Sequence, residues 1–280
     1  MSHASAMLCT VLLALGVLAG CAGDQSPDSL AQDLMVKSGL EKQVQQLPEL
    51  VHMGIMRQQQ ESQQIPPQKF ERLQHAIVEA FNPHTLQKDI LARVRTELTV
   101  DEMKAALVWW NSSLGGKIAH LEEAAATPQA MAEMAAMAQT LRQQPPAADR
   151  LTQIRQLEKA LAVTELTVDM TLNIEIAAAA SLAAVLLPMH QQPSFDALKA
   201  NAEKKRAQVK IALEPQVLVS LLYTYKSLED AELDRYIAFA ESEPGRKSYT
   251  VMTQALSSAL AEAGQAAGKS MGTIFKEQQA

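Results

Sequence analysis

Two short stretches of the sequence combine residue types that can hold an anion. Residues 109–117 read WWNSSLGGK, and residues 239–247 read FAESEPGRK. Both contain the spacing Ser-x-x-Gly-x-Lys, formed by Ser112, Gly115 and Lys117 in the first stretch and by Ser242, Gly245 and Lys247 in the second. A hydroxyl, the free amides of a helix N-terminus and an ammonium group together suit a phosphate or a carboxylate.

A structural role also explains these residues. Thr99 and Glu102 follow the capping-box pattern at the start of one predicted helix, and Ser112 can cap the next helix. Gly115 either allows two helix ends to approach closely or supplies a positive φ. The stretch therefore predicts a corner between two antiparallel helices. Because helix-end anion sites are common and rarely the purpose of a fold, we favour this structural interpretation over anion binding.

The lysines of the two corners need an anionic partner. A lysine in the first turn of a helix opposes the helix dipole, which favours negative charge there. We expect Lys117 to pair with Glu102 of the preceding helix, and Lys247 to pair with Glu232 in the same way.

Other patterns that carry chemistry are missing from the sequence. SLGGK lacks the spacing of a phosphate-binding Walker loop and follows a predicted helix. The five histidines after the N-terminal segment occur in separate segments without i, i+4 spacing: His52, His75, His84, His120 and His190. Met131, Met134 and Met137 could hold copper through their thioethers, but flexible core filling explains them better. The sequence thus predicts no catalytic residues, metal or cofactor, and a protein that is not an enzyme.

The elements that position the corners occur twice. Placing Gly115 on Gly245 also aligns Trp109 with Phe239, and the matched residues fall at helical spacing. QQIPPQKFERL near residue 63 resembles HQQPSFDALK near 190, so the repeat is about a domain long. The pattern predicts an all-α fold of two tandem helical bundles. Its predicted helices include 30–60 in the first half and 151–187, 194–213, 215–226, 228–241 and 244–263 in the second.

The corner pattern resembles the domain of unknown function 2059 family of bacterial exported proteins. That family ends a helix in an aromatic residue followed by Ser-Pro-x-Gly-x-Lys, whereas Ser113 and Glu243 stand at the proline position here. The resemblance covers about 30 residues in each half. It implies an all-helical envelope protein and transfers no catalytic residues.

The N-terminus resembles a bacterial lipoprotein signal. Residues 7–20 are almost all apolar or small, and the run ends in Leu18, Ala19, Gly20 and Cys21. The resemblance implies cleavage before Cys21 and lipidation of its thiol, with palmitate among the acyl chains that anchor it to a membrane. Ala22 after the cysteine favours the outer membrane over the inner membrane. Since Cys9 leaves with the signal peptide, we expect no disulfide.

Composition limits the partners of the chain. Its 25 basic and 31 acidic side chains give a formal charge of −6, which argues against nucleic acid binding. Paired Pro145 and Pro146 mark a boundary between the halves. The predicted organisation is a signal peptide over 1–20, lipidated Cys21 and tether over 21–29, a first helical domain over 30–141, a linker over 142–150, a second helical domain over 151–275 and a tail over 276–280.

These observations predict a lipid-anchored, periplasm-facing protein without enzymatic activity. We expect it to act as a binding or interaction module on an unidentified envelope protein or ligand. The alternative is a periplasmic carrier that holds a lipid or another apolar small ligand between its helices. The two possibilities differ in one structural feature, because a carrier needs a cavity and an interaction module needs an exposed patch.

Overall fold

The fold is all-helical throughout the part of the chain that the computed structural model describes, residues 26–62 and 67–276. This confirms the predicted fold class. The helices are α1 (Pro27–Lys37), α2 (Leu40–Ser62), α3 (Pro67–Ala80), α4 (Pro83–Glu97), α5 (Val100–Trp110), α6 (Ser113–Ala125), α7 (Pro128–Gln143), α8 (Ala148–Leu161), α9 (Val163–Leu186), α10 (Phe195–Glu203), α11 (Arg206–Thr224), α12 (Asp230–Glu241) and α13 (Glu243–Lys276), with a 3-10 turn at Met189–Gln191.

The helix predicted over 194–213 is divided into α10 and the start of α11, and two other predicted helices are each broken at a residue with a positive φ. The helix predicted over 30–60 is broken by Gly39, whose φ of 77° no regular helix can contain. The helix predicted over 151–187 is broken by Ala162, whose φ of 51° is left-handed and rare outside glycine. Apolar periodicity continues through both breaks, so the pattern alone could not locate them.

Two other predicted breaks are absent. Pro215 lies inside α11, where a proline removes one backbone hydrogen bond without ending the helix. Helix α13 continues past the predicted end at residue 263 to Lys276. It packs against α9, α3 and α4, and these tertiary contacts support its length.

The helices of the two halves follow the same packing order. In the first half α1 packs against α2, α4 and α5, and in the second half α8 packs against α9, α11 and α12. Helix α2 packs against α3 and α4, as α9 packs against α10 and α11. The corner helices α5 and α6 pair like α12 and α13. The order of helix contacts is thus similar in the two halves.

Helices at the corner of each half pack against helices of the other half. Helices α6 and α7 pack against α11, while α13 packs against α3, α4 and α5. A single large hydrophobic cluster contains buried side chains from both halves, including Leu34, Ile90, Met103, Trp110, Ile154, Leu157, Leu233 and Tyr236. Buried side chains of both halves thus form one core. A smaller cluster of Val168, Leu172, Ile176 and Ala202 joins α9 to α10.

Candidate functional site

Local hydrogen bonds fix the two corners as the sequence predicts. Ser112 Oγ accepts from the Gly115 amide at 3.0 Å, and Ser242 Oγ accepts from the Gly245 amide at 3.2 Å. Thr99 and Glu102 form the predicted capping box at the start of α5. At the start of α12 the box is formed by Glu229 and Glu232.

Close approach of two helix ends requires the corner glycines. A Cβ atom on Gly115 would lie 2.2 Å from the carbonyl oxygen of Trp109, and one on Gly245 would lie 1.8 Å from that of Phe239. Neither glycine has a positive φ. Of the two roles considered for these residues, the structure therefore supports close packing of the backbone.

The lysine of each corner forms an ion pair with a glutamate of the other half. Lys117 Nζ lies 2.6 Å from a carboxylate oxygen of Glu232, and Lys247 Nζ lies 2.5 Å from one of Glu102. The predicted pairs within each half are wrong. The helix dipole explains why each lysine needs a carboxylate, but both partners come from the opposite corner because the two corners pack against each other.

These ion pairs act on the acidity of the two carboxyl groups. Hydrogen bonding from Lys247, supported by the Thr99 amide, lowers the pKa of Glu102 to about 2. Hydrogen bonding from Lys117, supported by the Glu229 amide, also lowers the pKa of Glu232. Each lysine of the corner motif already faces an ionised carboxylate, and each serine already accepts an amide. This arrangement supports the structural role of the motif rather than anion binding.

Aromatic side chains fill the contact between the corners. The rings of Trp109 and Phe239, which are equivalent in the two halves, stack with centroids 4.5 Å apart. Trp110 is only 2% exposed and meets Phe239 and Tyr249 edge-on. Both tryptophans therefore belong to the contact, and Trp110 is the more buried of the two.

A polar cluster crosses the same contact and has no counterpart among the predicted site residues. Glu122 Oε1 accepts from Tyr225 at 2.7 Å and from Tyr236 at 2.8 Å. The hydroxyl groups of Tyr236 and Tyr249 are hydrogen-bonded at 2.5 Å. Burial raises the pKa of Glu122 despite the two tyrosine hydrogen bonds, and burial raises the pKa of each tyrosine.

This Glu122–tyrosine cluster does not follow the predicted repeat. Under the alignment of Gly115 with Gly245, alanines occupy the places equivalent to Tyr236 and Tyr249. The one available sequence signal is that all four tyrosines follow residue 222. Without a structure, nothing connects them to Glu122, more than 100 residues earlier. The cluster joins α6 of the first half to α11, α12 and α13 of the second.

Metal-binding residue types do not converge within the described ranges. No group of three or more His, Cys, Asp or Glu side chains there could hold a metal ion. Of the three clustered methionines, Met131 is exposed and Met137 packs against the main core.

A separate cleft opens between α9, α10 and α13. It has a volume of about 330 Å³. Its lining residues are Asn173, Ile176, Ala177, Ala180, Phe195, Ala261, Gln265, Gly268 and Lys269. The alanine-rich part of α9 forms one wall. Small side chains leave room beside it, so this wall combines helix packing with an open apolar surface.

The comparisons with known proteins leave the chain without an assigned relative. No family model, curated protein or solved structure matches it. The resemblance to the domain of unknown function 2059 family stays a prediction.

Cys21 and the signal segment lie outside the described residues. No described helix has the length and apolar character to cross a membrane.

Proposed function

We propose that the protein is a lipid-anchored, non-enzymatic binding module of the bacterial envelope, tethered through Cys21 and binding at the cleft between α9, α10 and α13. One observation carries the proposal: the cleft combines a volume of about 330 Å³ with a largely apolar lining. Small-molecule sites are typically concave, largely apolar and roughly 300–1,000 Å³ in volume, with a few polar groups at fixed places. The cleft fits this description at its small end.

The cleft supports one of the two forms of binding over the other. A module that docks a partner protein needs a broad exposed patch, whereas a carrier needs a cavity. The exposed apolar side chains include Phe195 at the cleft itself, so apolar surface and volume coincide. This favours a carrier that takes an apolar ligand between its helices. The lipidated N-terminus would hold that carrier at the membrane surface.

Site-specific photo-crosslinking in living cells tests binding at the cleft. A benzophenone amino acid is placed at Phe195, which is 52% exposed at the cleft, or at Val108, which is 76% exposed on α5. We expect a reproducible covalent adduct from position 195 and none from position 108. Equal background at both positions would contradict the proposed binding site.

A second experiment tests the anchor independently. Replacing Cys21 by serine removes the thiol that the lipid requires. We expect the Cys21→Ser variant to lose incorporation of radiolabelled palmitate. Palmitate incorporation equal to that of the unchanged protein would contradict lipidation at Cys21.

A further inference from the structure

The shape of the cleft suits an extended ligand. Four α9 residues that line it span positions 173–180, and four α13 residues span positions 261–269. At a rise of 1.5 Å per residue, each wall runs for about 10–12 Å along its helix. Phe195 of α10 adds a lining ring. The cleft is thus a trough between two helices.

Most of the residues that line the trough are apolar, and several of them have small side chains. Ala177, Ala180 and Ala261 contribute only methyl groups, and Ile176 adds a larger aliphatic surface. A Cβ atom on Gly264 would lie 3.2 Å from Ala177 Cβ, so α9 and α13 are already in close contact beside the trough. The volume of about 330 Å³ fits one hydrocarbon chain better than a lipid with two.

Lys269 is the charged residue among those that line the trough. All three acidic side chains of α9 are paired with cations of the segment that follows α10: Glu165 with Lys210, Asp169 with Arg206, and Glu175 with Lys205. Lys269 of α13 also lines the trough, and its ammonium group has no ion-pair partner among the residues described. Asn173 and Gln265 are the other polar lining residues. The trough therefore offers a cation and two amides next to an apolar surface.

We propose that the trough binds a single-chain anionic amphiphile, a fatty acid carboxylate, with its chain along Ile176, Ala180 and Ala261 and its head group at Lys269. This inference rests on the proposed function, since it names the ligand class of the same cleft. Burial of the chain supplies the affinity, at about 0.8 kcal/mol per methylene group. The ammonium of Lys269 supplies selectivity for the anionic head.

Photoaffinity labelling of the full lipidated protein in nanodiscs tests the inference. The probe is a 12-carbon fatty acid with a diazirine in its chain, and mass spectrometry of peptides locates the label. Competitors are dodecanoate, dodecanol and dodecyltrimethylammonium at equal concentration. Ala261→Trp fills the trough, and Ala266→Trp is its control because Ala266 is exposed on α13 and does not line the trough. Lys269→Glu reverses the head-group charge, with Lys104→Glu on α5 as its control.

We expect label in peptides of α9, α10 or α13, and we expect dodecanoate to compete more strongly than dodecanol or dodecyltrimethylammonium. Ala261→Trp should reduce labelling at least about tenfold, as expected when a site is filled sterically. Lys269→Glu should reduce it by up to about fivefold, the size of one exposed charge interaction. Both control variants should label like the unchanged protein.

Two results would overturn the inference in distinguishable ways. Label in the trough that all three competitors reduce equally, and that Lys269→Glu leaves unchanged, would contradict the anionic head group while leaving binding at the cleft intact. Label absent from all three helices would contradict a fatty acid ligand. If the crosslinker at position 195 still captured an adduct, that adduct would show that the cleft binds another class of molecule.

Discussion

Two neighbouring glycines in α6 differ in the space available for a side chain. A Cβ atom on Gly115 would lie 2.2 Å from the backbone oxygen of Trp109, whereas one on Gly116 would meet no atom within 4 Å. The same substitution therefore tests a close backbone approach at one position and helix propensity at the next.

We predict that Gly115→Ala destabilises the protein by about 1–3 kcal/mol or more, because the backbone of the corner must shift to accept the methyl group. Gly116→Ala should be neutral or stabilising by up to about 1 kcal/mol, since alanine favours the helix. Urea unfolding monitored by circular dichroism measures both. Equal stability of the two variants would contradict the role assigned to the corner glycine.

Glu122 gives the contact between the halves a pH dependence. Burial raises its pKa in the folded state above the ordinary value of 4.5. Between these two pKa values the folded protein binds more protons than the unfolded chain, so this group lowers the free energy of unfolding as pH rises above 4.5. Glu133 has the opposite sign, because hydrogen bonding from Tyr223 lowers its pKa.

We predict that Glu122→Gln gains stability relative to the unchanged protein as the pH rises from 4 to 7. Glutamine keeps an acceptor for Tyr225 and Tyr236 but carries no charge. Glu133→Gln is the matched control and should lose relative stability over the same range. Urea midpoints at pH 4, 5.5 and 7 measure both slopes. A Glu122→Gln difference that stays constant or falls with pH would show that burial of this carboxyl group is not costly.

Individual corner residues differ in how far the sequence predicts them. Ser112 and Ser242 were predictable as caps because a cap acts on amides three residues away. The corner glycines were predictable as special positions, but choosing close packing over a positive φ required coordinates. Glu122 was not predictable, because its partners are more than 100 residues distant and its environment is created by packing.

Two ion pairs, Lys117–Glu232 and Lys247–Glu102, link the corner helices of one half to those of the other. The helix dipole predicts that Lys117 needs an anion and leaves open which helix supplies it. Equivalent glutamates exist in both halves, so local sequence cannot choose between them. The choice follows from the packing of the two corners face to face, in which Trp109 stacks on its own equivalent, Phe239. Contact between equivalent residues is the hallmark of a two-fold interface.

A double-mutant cycle distinguishes ion pairs between the halves from pairs within one half. We predict measurable coupling between Lys117→Ala and Glu232→Ala, because the two side chains are in contact. The cycle of Lys117→Ala with Glu102→Ala should show none, and the capping role of Glu102 cancels within that cycle. Urea unfolding supplies the free energies, and added salt should weaken the coupling. Coupling confined to Lys117 and Glu102 would contradict pairing between the halves.

In the molecule as a whole, the two halves share one hydrophobic core. A periodic sequence pattern predicted helices and a repeat because these depend on residues close in the chain. It could not predict the sharing of one core, because that depends on α13 crossing to α3 and α4 and on α6 and α7 crossing to α11. The cleft was also beyond prediction, since α9 and α13 are far apart in sequence.

Hydrogen exchange of a Gly245→Ala variant tests this shared core most directly. A methyl group on Gly245 would lie 1.8 Å from the carbonyl oxygen of Phe239, so the corner of the second half must open. Because α13 packs against α3 and α4, we predict faster amide exchange in those first-half helices as well as in α12 and α13. Gly116→Ala is the control and should leave exchange unchanged. Faster exchange confined to residues 148–276 would contradict the account and indicate two halves that fold independently.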